Sequence, residues 1–491
     1  MSGEELWRLS ATDAVKRLEA GEVTPLELVE ASAARIAETD GALNAMPILC
    51  LERAREQARR LMEQGAPETK PRGWLAGLPV AIKDLEDVAG VRTTYGSPIF
   101  ADHVPERSSL LVERLEARGA IVIGKANTPE FGAGASTFNE VFGRTHNPWN
   151  TAKSVAGSSG GSAAALAAGQ VWLASGSDLG GSLRNPASFT GIVGLRPSPG
   201  RVPKGPPQRL YATLSVAGPM ARTALDAALF LDALSGAQIA DPLTIDAPAR
   251  PFADALREAR PPRKIAYSPD LGVTPVDPEV ARLCRAAAER FAALGCTVEE
   301  ATPDLSGAHE TFQVLRAAGF AADEGSLLET HRAQMKPDVI WNVEKGLALS
   351  AEEIARAEHH RAKLFHRMIA FFESYDLLLC PATIVPPYPV EWRTVEEIGG
   401  QKFETYIDWL AIAFAITLTT CPALSAPAGL TADGLPVGLQ IVGPPRGEAA
   451  ILAAAHLLEQ ETGLADLLPI DPRPDVADRD PAEFVSPSLS G

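Results

Sequence analysis

Residues Gly157–Arg184, GSSGGSAAALAAGQVWLASGSDLGGSLR, are the most informative stretch of this 491-residue chain. Ser158 lies in a first glycine-rich turn, and Ser182 lies in a second one, 24 positions later. The small residues 159–169 predict a helix between the two turns, and the apolar run 171–175 predicts a strand. The two serines therefore flank a helix–strand unit and occupy turns, where functional residues concentrate.

Lys83 is the third residue that these patterns single out. It follows the apolar run Leu78–Ile82, which predicts a buried strand. A serine hydroxyl is a weak nucleophile at neutral pH and needs a base within hydrogen-bond reach. Because burial lowers the pKa of a lysine, a desolvated Lys83 could accept the proton of Ser182, with Ser158 as the relay between them. The sequence thus predicts an acyl-transfer site that uses no histidine.

The turn Leu179-Gly180-Gly181 before Ser182 predicts an oxyanion-binding site. Successive backbone N–H groups would point at one developing charge, and a Cβ at these positions would block the approach. Each feature also has an ordinary explanation. A lysine after an apolar strand is usually solvated, and a glycine-serine turn before a helix is usually an N-cap or an anion nest. The order and spacing of all the features together favour the catalytic interpretation.

Elsewhere the chain alternates helical patterns with short apolar runs, which predicts an α/β fold whose sheet is buried on both faces. Thr24, Pro25 and Glu27 predict the start of one helix. The predicted helices cover 4–66, Ser109–Arg118, 222–236, 278–295 and 351–374, and the predicted strands cover Ala120–Ile123, Lys264–Tyr267, Thr297–Glu300, Leu377–Cys380 and Leu439–Val442. The proline-rich stretch 381–393 is predicted to be an ordered surface loop.

The composition, with 46% hydrophobic and 22% charged residues, is that of a globular protein. A net charge of −17 disfavours a surface for nucleic acid or anionic membranes. No signal peptide or spanning segment is visible, and five scattered cysteines suit a reducing compartment, so the sequence predicts a cytoplasmic protein. Whether it forms a homodimer stays open.

Three rival motifs fail. The run Gly119–Lys125 resembles a P-loop, but Ala126 stands where a magnesium-binding Ser or Thr is required. His359, His360 and His366 lack the spacing of a zinc helix, so an exposed helix face is the better interpretation. No G-x-S-x-G elbow with a downstream Asp and His is evident.

The chain resembles the amidase signature family over about residues 5–460. The similarity rests on the two serine turns and on the following segments: LLVERLEARGAIVIGKANTPEF from Leu110, FGRTHNPWN from Phe142, NPASFTGIVGLRPS from Asn185, CPALSAPAGL from Cys421 and GLPVGLQIVG from Gly434. Two departures stand out. Ser177 precedes Asp178 where the family often has threonine, and Ala156 replaces a glycine before the first serine turn.

The resemblance implies one three-layer α/β/α domain around a mixed, largely parallel-type sheet, with no metal and no organic cofactor. It implies Lys83 as base, Ser158 as a relay serine after a cis peptide bond, and Ser182 as nucleophile. It also implies Leu179, Gly180 and Gly181 as oxyanion donors. The expected domain is 1–468, with an N-terminal helical region over 1–70, a core over 71–200 and a remainder over 201–468, followed by a tail 469–491 that is expected to fray.

The expected activity is hydrolysis of a small-molecule amide through a serine acyl-enzyme. Three of the residues in Phe131-Gly132-Ala133-Gly134 are Gly or Ala, which predicts room for bulky or aryl amides; a tight bend is the simpler alternative. The predicted substrate contacts are Gly132, Ala133, Gly134, Ser177, Asp178, Trp341, Ile384 and Tyr388. Two alternatives remain: the A subunit of a glutamyl-tRNA amidotransferase, and a catalytically silent binding protein on the same fold.

Overall fold

The apolar runs of the sequence become the inner strands of one large sheet in a computed structural model that describes residues 5–206 and 208–475. The strands of these described residues are β1 (Ile48–Leu49), β2 (Pro79–Lys83), β3 (Ile121–Ala126), β4 (Phe138–Asn139), β5 (Gly143–Arg144), β6 (His146–Asn147), β7 (Asn150–Ser154), β8 (Leu173–Asp178), β9 (Val193–Arg196), β10 (Val216–Ala221), β11 (Lys264–Tyr267), β12 (Thr297–Glu300), β13 (Leu377–Pro381), β14 (Glu397–Ile398), β15 (Gln401–Lys402), β16 (Ala423–Leu430) and β17 (Pro436–Val442).

Amphipathic and small-residue segments form the helices around the sheet. Within the described residues of the chain they are α1 (Ala11–Ala20), α2 (Pro25–Leu43), α3 (Leu51–Gln64), α4 (Leu110–Ala117), α5 (Gly160–Ala167), α6 (Arg184–Thr190), α7 (Ala224–Leu234), α8 (Phe252–Leu256), α9 (Pro278–Ala293), α10 (Ala308–His331), α11 (Pro337–Leu347), α12 (Ala351–Phe372), α13 (Ala411–Leu418) and α14 (Glu448–Thr462). None of these helices is both long and apolar enough to cross a bilayer.

The large sheet has eleven strands in the order β1-β3-β2-β8-β10-β9-β16-β17-β13-β11-β12. Parallel pairing joins β3, β2 and β8 on one side and β12, β11 and β13 on the other. The other neighbouring pairs are antiparallel. The predicted mixed α/β sheet is confirmed, but its parallel share is smaller than expected. The reason is that an apolar run reports burial on both faces and not the direction of the neighbouring strand.

Both faces of the sheet are covered. Val80 and Ile82 of β2 pack in one apolar cluster with side chains from α1, α4 and α7, whereas Ala81 between them packs in another with α2, α3 and α5. In β13, Leu379 belongs to the first cluster and its neighbour Leu378 to a third, which contains α12 and α13. This alternation is the period of a strand whose two faces are both buried, so the three-layer arrangement is confirmed.

The N-terminal region differs from the continuous helical prediction over residues 4–66. Helix α2 starts as predicted, because Thr24 and Glu27 form a capping box in which the Glu27 carboxylate accepts the Thr24 N–H at 2.8 Å. Asn44 then ends the helix with a φ of 51°, and Pro47 follows. Since Pro lacks an N–H, the chain leaves the helix there, and Ile48 pairs with β3.

The proline-rich stretch is ordered, but the prediction that it lies on the surface is wrong for most of its length. Residues 381–384 are buried, as are 387, 388 and 390. Its backbone pairs with the segment before the first serine turn: the Ser154 N–H donates to the Tyr388 carbonyl, and the Val390 N–H donates to the Ala152 carbonyl. Its prolines are tolerated there because this pairing uses other N–H groups.

Two further sequence predictions, the exposed histidine face and the C-terminal tail, differ in part from the structure. The predicted exposed histidine face is exposed at His359 and His366, whereas His360 is half-buried and bonds Thr311. Near the C-terminus, the Ile470 N–H donates to the Ala167 carbonyl, so the start of the predicted tail packs on the domain. Residues 476–491 of that tail lie outside the described residues.

Candidate active site

Lys83 is the last residue of β2, beside the end of β8, and its side chain is 1% exposed. Its amine is surrounded by three hydroxyl groups. The Nζ atom lies 2.7 Å from the Ser158 Oγ, 2.9 Å from the Ser159 Oγ and 3.0 Å from the Ser177 Oγ. No described carboxylate pairs with Nζ within 4.0 Å. The amine is therefore held by neutral groups alone.

Burial controls the charge of this amine. Desolvation lowers the pKa of Lys83 from its ordinary value of 10.5 to about 7, although the more distant charges of Asp178 and Glu86 act in the opposite direction. A large fraction of Lys83 is consequently neutral at physiological pH, which is the form that accepts a proton.

The first serine turn carries Ser158 between β7 and α5. The Gly157–Ser158 peptide bond is cis, as the family resemblance implies. Glycine is required just after it, because a Cβ on Gly160 would lie 2.2 Å from the Thr137 Oγ1 and a Cβ on Gly161 would lie 2.3 Å from the Asn127 backbone nitrogen. The small residues of this turn let it sit directly on the neighbouring chain and bring the Ser158 hydroxyl to the amine.

The second serine turn links β8 to α6 and is shaped by Asp178. The Asp178 carboxylate accepts the N–H of Gly181 at 2.9 Å and the N–H of Leu183 at 3.2 Å, so it holds the backbone on both sides of Ser182. Gly181 has a φ of 107°, and a Cβ there would lie 2.6 Å from the Asn185 side chain. Only glycine meets both demands.

Two buried arginines keep Asp178 charged. Arg184 donates to both carboxylate oxygens at 2.8 and 2.9 Å, and Arg196 bonds the Asp178 carbonyl. Burial alone would raise the pKa of Asp178, but the two guanidinium groups overcome that effect and hold the pKa well below its usual range. The turn is thus braced by a permanent anion at any pH where the protein is used.

The three predicted oxyanion donors are not equivalent. The Gly181 N–H is already bonded to Asp178. The N–H groups of Leu179 and Gly180 bond no acceptor among the described residues, and both residues line the cavity next to Ser182. The geometry therefore leaves Leu179 and Gly180 as the available donors of the predicted three.

A cavity of about 90 Å³ opens above the two serines. It is lined by Leu85, Phe131, Gly132, Gly134, Ser158, Ser177, Leu179, Gly180, Ser182, Ser215, Phe312, Arg316, Phe320, Tyr406, Ile407 and Leu410. A larger outer groove of about 350 Å³ adjoins it and shares Phe131, Leu179, Ser215, Arg316 and Phe320. The candidate site is therefore a small inner chamber, lined in part by aromatic side chains, that adjoins a larger groove.

The cavity brings together several of the predicted substrate contacts, namely Gly132, Gly134 and Ser177. Five others do not line it. Ala133 is fully buried in a small apolar cluster, Asp178 lies beneath the turn, and Trp341 stacks edge-on against Tyr406. Ile384 is a fully buried core residue, and the Tyr388 hydroxyl bonds Ser136 at 2.6 Å. Ile384 and Tyr388 do not reach the cavity because the proline-rich stretch that carries them is largely buried in the core.

Most of the cavity wall was missed by the sequence analysis. Phe312, Arg316 and Phe320 come from α10, and Tyr406, Ile407 and Leu410 come from the segment before α13. Phe312, Arg316 and Phe320 are spaced by four residues, which places them on one face of the helix. That spacing was the available signal, but it is equally typical of an ordinary core face.

Known proteins are similar to this chain over nearly its whole length. A family model described as Amidase matches residues 27–452. An acylamidase from Rhodococcus erythropolis is 34% identical over 474 residues, covering 96% of this chain and 99% of the relative. The A subunit of a glutamyl-tRNA(Gln) amidotransferase from Anaeromyxobacter dehalogenans (strain 2CP-C) is 34% identical over 498 residues, covering 96% and 99%.

The fold agrees with a solved structure as well. The structure of a bacterial aryl acylamidase of the amidase signature enzymes superposes with a TM-score of 0.86 at 28% identity, covering 94% of this chain and 98% of that one. Family model, relatives and structure thus agree on the family and on the fold of nearly the whole chain. The chain belongs to the amidase signature family and is an amidohydrolase that cleaves carbon–nitrogen bonds of amides.

Proposed function

We propose that the chain hydrolyses amides through an acyl-enzyme on Ser182, with Ser158 and Lys83 as a proton relay. One observation carries this: the Lys83 amine, with a pKa near 7, lies 2.7 Å from the Ser158 Oγ, and Ser158 lines the same cavity as Ser182. A base, a hydroxyl relay and a nucleophile in one chamber are what activation of a serine needs.

In the acylation step the Ser182 Oγ forms a bond to the amide carbonyl carbon. The Ser182 proton passes to the Ser158 oxygen as the Ser158 proton passes to the neutral Lys83 amine. The N–H groups of Leu179 and Gly180 stabilise the negative charge on the carbonyl oxygen. When the C–N bond breaks, the proton returns through Ser158 to the leaving nitrogen, and the amine departs.

In the deacylation step water replaces the amine. Its oxygen attacks the Ser182 ester while its proton moves through Ser158 to Lys83. The ester C–O bond then breaks, and the relay returns the proton to the Ser182 oxygen. The products are a carboxylic acid and an amine, or ammonia when the substrate is a primary amide. Each step regenerates the starting state of the relay.

We further propose that the substrates are bulky or aryl amides. The inner chamber, at about 90 Å³, is smaller than a cavity of roughly 150 Å³ that accommodates benzene, so a ring would extend into the outer groove. Phe131 and Phe320 line both spaces and would contact such a ring. The similarity to an acylamidase and to an aryl acylamidase supports this choice.

The experiment combines labelling with a substrate series. A fluorophosphonate should label the wild-type protein, and peptide mapping should place the label on Ser182. Ser182→Ala should stay folded by circular dichroism, take no label and lose about 10³-fold or more in kcat. Acetanilide should be cleaved with a higher kcat/KM than acetamide. Near-wild-type turnover by Ser182→Ala would disprove the acyl-enzyme, and better cleavage of acetamide would disprove the substrate class.

A second candidate is favoured by the amidotransferase relative, which is also 34% identical. Such a protein would release ammonia from a primary amide instead of cleaving anilides. Glutamine is the discriminating substrate: efficient release of ammonia from glutamine, together with no release of aniline, would favour this candidate over the acylamidase.

A further inference from the structure

Arg316 is the single charged residue in the lining of the inner chamber among the described residues. It lies on α10 and is only 6% exposed, and it lines the outer groove as well. The described lining of the inner chamber contains no aspartate or glutamate, whereas Asp323, Glu324 and Glu358 line the outer groove. One buried positive charge therefore lies where the inner chamber meets the outer groove.

The guanidinium group has neutral partners. The Nη2 atom lies 2.8 Å from the Tyr406 hydroxyl oxygen, the Nη1 atom bonds the Asn342 side-chain oxygen, and the group stacks on Phe320 at 4.5 Å. No described carboxylate oxygen lies within 4.0 Å of it. Some other buried arginines differ, since Arg184 has Asp178 as a partner and Arg201 has Glu448, whereas the buried Arg222 bonds the Leu9 carbonyl.

A buried charge without a countercharge is costly, and folded proteins normally pair it. Arginine has five N–H bonds, and two are used by Asn342 and Tyr406, which leaves three. A planar guanidinium matches a carboxylate, because two parallel N–H bonds can reach its two oxygens. Arg316 lines both the inner chamber and the outer groove, so a carboxylate bound to it can lie in either space while the amide lies in the chamber.

We propose that the amides cleaved by this enzyme carry a carboxylate, and that Arg316 binds it while the amide lies at Ser182. This inference rests on the proposed function and narrows its substrate class. Asn342 and Tyr406 hold the guanidinium in place. The carboxylate belongs either to the acyl portion or to the amine portion of the substrate. Two pairs of test substrates distinguish these two possibilities.

The first pair, for the amine portion, is 4-acetamidobenzoate and the neutral, nearly isosteric 4-nitroacetanilide. The second pair, for the acyl portion, is succinic monoanilide and its methyl ester, followed by aniline release. For one pair, the ratio of kcat/KM for the anionic member to kcat/KM for the neutral member should be higher in the wild-type enzyme than in Arg316→Gln. That variant should lose about 10- to 100-fold in kcat/KM for the anionic member, the range of a hydrogen bond to a charged group, and less than about 3-fold for the neutral one. The two members of a pair differ in intrinsic reactivity, but this difference cancels when the anionic-to-neutral ratio of kcat/KM is compared between enzyme variants.

Two further variants separate recognition from a structural role. Arg316→Lys keeps the charge and should restore some of the preference for the anion. Arg285→Gln removes an arginine of α9 that pairs with Glu300, so it controls for the overall charge of the molecule and should leave the ratio unchanged. Equal losses for both members of each pair would show that Arg316 only positions Tyr406 and Asn342, and would overturn the proposal.

Binding provides a readout that does not depend on turnover. In Ser182→Ala, 4-acetamidobenzoate or succinic monoanilide should bind at least about 10-fold more tightly than its neutral partner by calorimetry, and adding Arg316→Gln should remove that difference. Equal affinities within both pairs would overturn the carboxylate proposal even if the enzyme hydrolyses neutral anilides well. Tight anion binding without hydrolysis of any amide would instead contradict the proposed function and leave the anion site intact.

Discussion

At the scale of single residues, the proposed chemistry depends on the protonation state of Lys83. Its side chain is fully buried, and burial moves its pKa to about 7. The same desolvation that costs folding free energy makes the amine a base that works at neutral pH, since an ordinary lysine would be almost wholly protonated there.

The first prediction is a pH profile. Because neutral Lys83 is the active form, kcat/KM should rise about tenfold per pH unit below pH 7 and level off above it. Stopped assays from pH 5 to 10 with an uncharged anilide would measure this. Lys83→Arg should be nearly inactive at every pH, because a guanidinium does not deprotonate. A rate that still climbs between pH 9 and 10 would show that the base has the ordinary lysine pKa.

The second prediction concerns which hydroxyl relays the proton. Ser158, Ser159 and Ser177 all lie within 3.0 Å of the Lys83 amine, but Ser159 does not line the cavity. Ser158→Ala should therefore lose about 10²-fold or more in kcat, the scale of general acid–base catalysis. Ser159→Ala is the matched control and should lose less than about 10-fold. A larger loss for Ser177→Ala than for Ser158→Ala would assign the relay to Ser177.

Lys83, Ser158 and Ser182 could be singled out as candidates from sequence because glycine-serine turns and an apolar strand ending in lysine are local patterns. The structure brings the Lys83 amine to the Ser158 hydroxyl. Ser177 keeps the hydroxyl of the threonine that the family often has, and that hydroxyl reaches the amine. The pocket could not be found in this way. Ala133 is adjacent to cavity residues in sequence, yet its side chain faces Met335 and Val339 instead of substrate. A turn with φ of 70° at Gly132 and 104° at Gly134 sends neighbouring residues in different directions, which spacing does not reveal.

At the scale of elements, the turn between β8 and α6 positions Ser182, the proposed nucleophile. The Asp178 carboxylate accepts a hydrogen bond from the backbone of this turn. Helix α13 packs closely against the turn, since its Ala413 would lie 2.7 Å from a Cβ on Gly181. The backbone of Ser182 also accepts the Ser159 N–H at 3.3 Å, so the two serine turns are bonded to each other. The catalytic geometry is thus a property of packed elements rather than of side chains alone.

The third prediction tests this element. Gly181→Ala should shift the turn and lower kcat by about 10²-fold, because a small misplacement of the reacting atoms is costly. The control is Gly21→Ala, where the φ is also positive, at 70°, but nothing lies within 4 Å of the added Cβ. It should lower the unfolding temperature slightly and leave kcat unchanged. Unaltered turnover in Gly181→Ala would mean that the turn tolerates displacement.

At the scale of the whole molecule, sequence patterns predicted the strands of the two parallel regions of the sheet and β17, but not the other strands of the antiparallel middle. Helices α4, α7, α9 and α12 and the strands around Lys83 were predicted close to their observed bounds. Strands β9, β10 and β16 were missed, because their glycines and prolines hide the apolar pattern. Strand β10 pairs antiparallel with β9, where Ala221 lies opposite Val193. Strand β9 also pairs antiparallel with β16, which begins at Ala423. Long-range pairing of this kind joins segments far apart in the chain, so no local pattern encodes it.

The last prediction links the base to the stability of the whole fold. Between pH 7 and 10.5 the unfolded chain binds a proton at Lys83 that the folded chain does not, so this residue makes the free energy of unfolding rise with pH in that window. At pH 7 the cost of burying the amine is near its maximum, and Lys83→Met should be the more stable protein. Its advantage should shrink by about 2 kcal/mol between pH 7 and 9, as follows from 1.36 kcal/mol per unit of pKa difference.

Chemical unfolding at pH 7, 8 and 9 would measure the difference between the two proteins. Lys16→Met, at a surface lysine bonded to Asp13, is the control and should change stability by the same amount at each pH. A pH-independent gap for Lys83→Met would mean that the folded protein carries Lys83 charged. That result would contradict the proposed mechanism, in which Lys83 is a neutral base. The neutral amine that accepts the proton of Ser158 is the same group that destabilises the fold at pH 7.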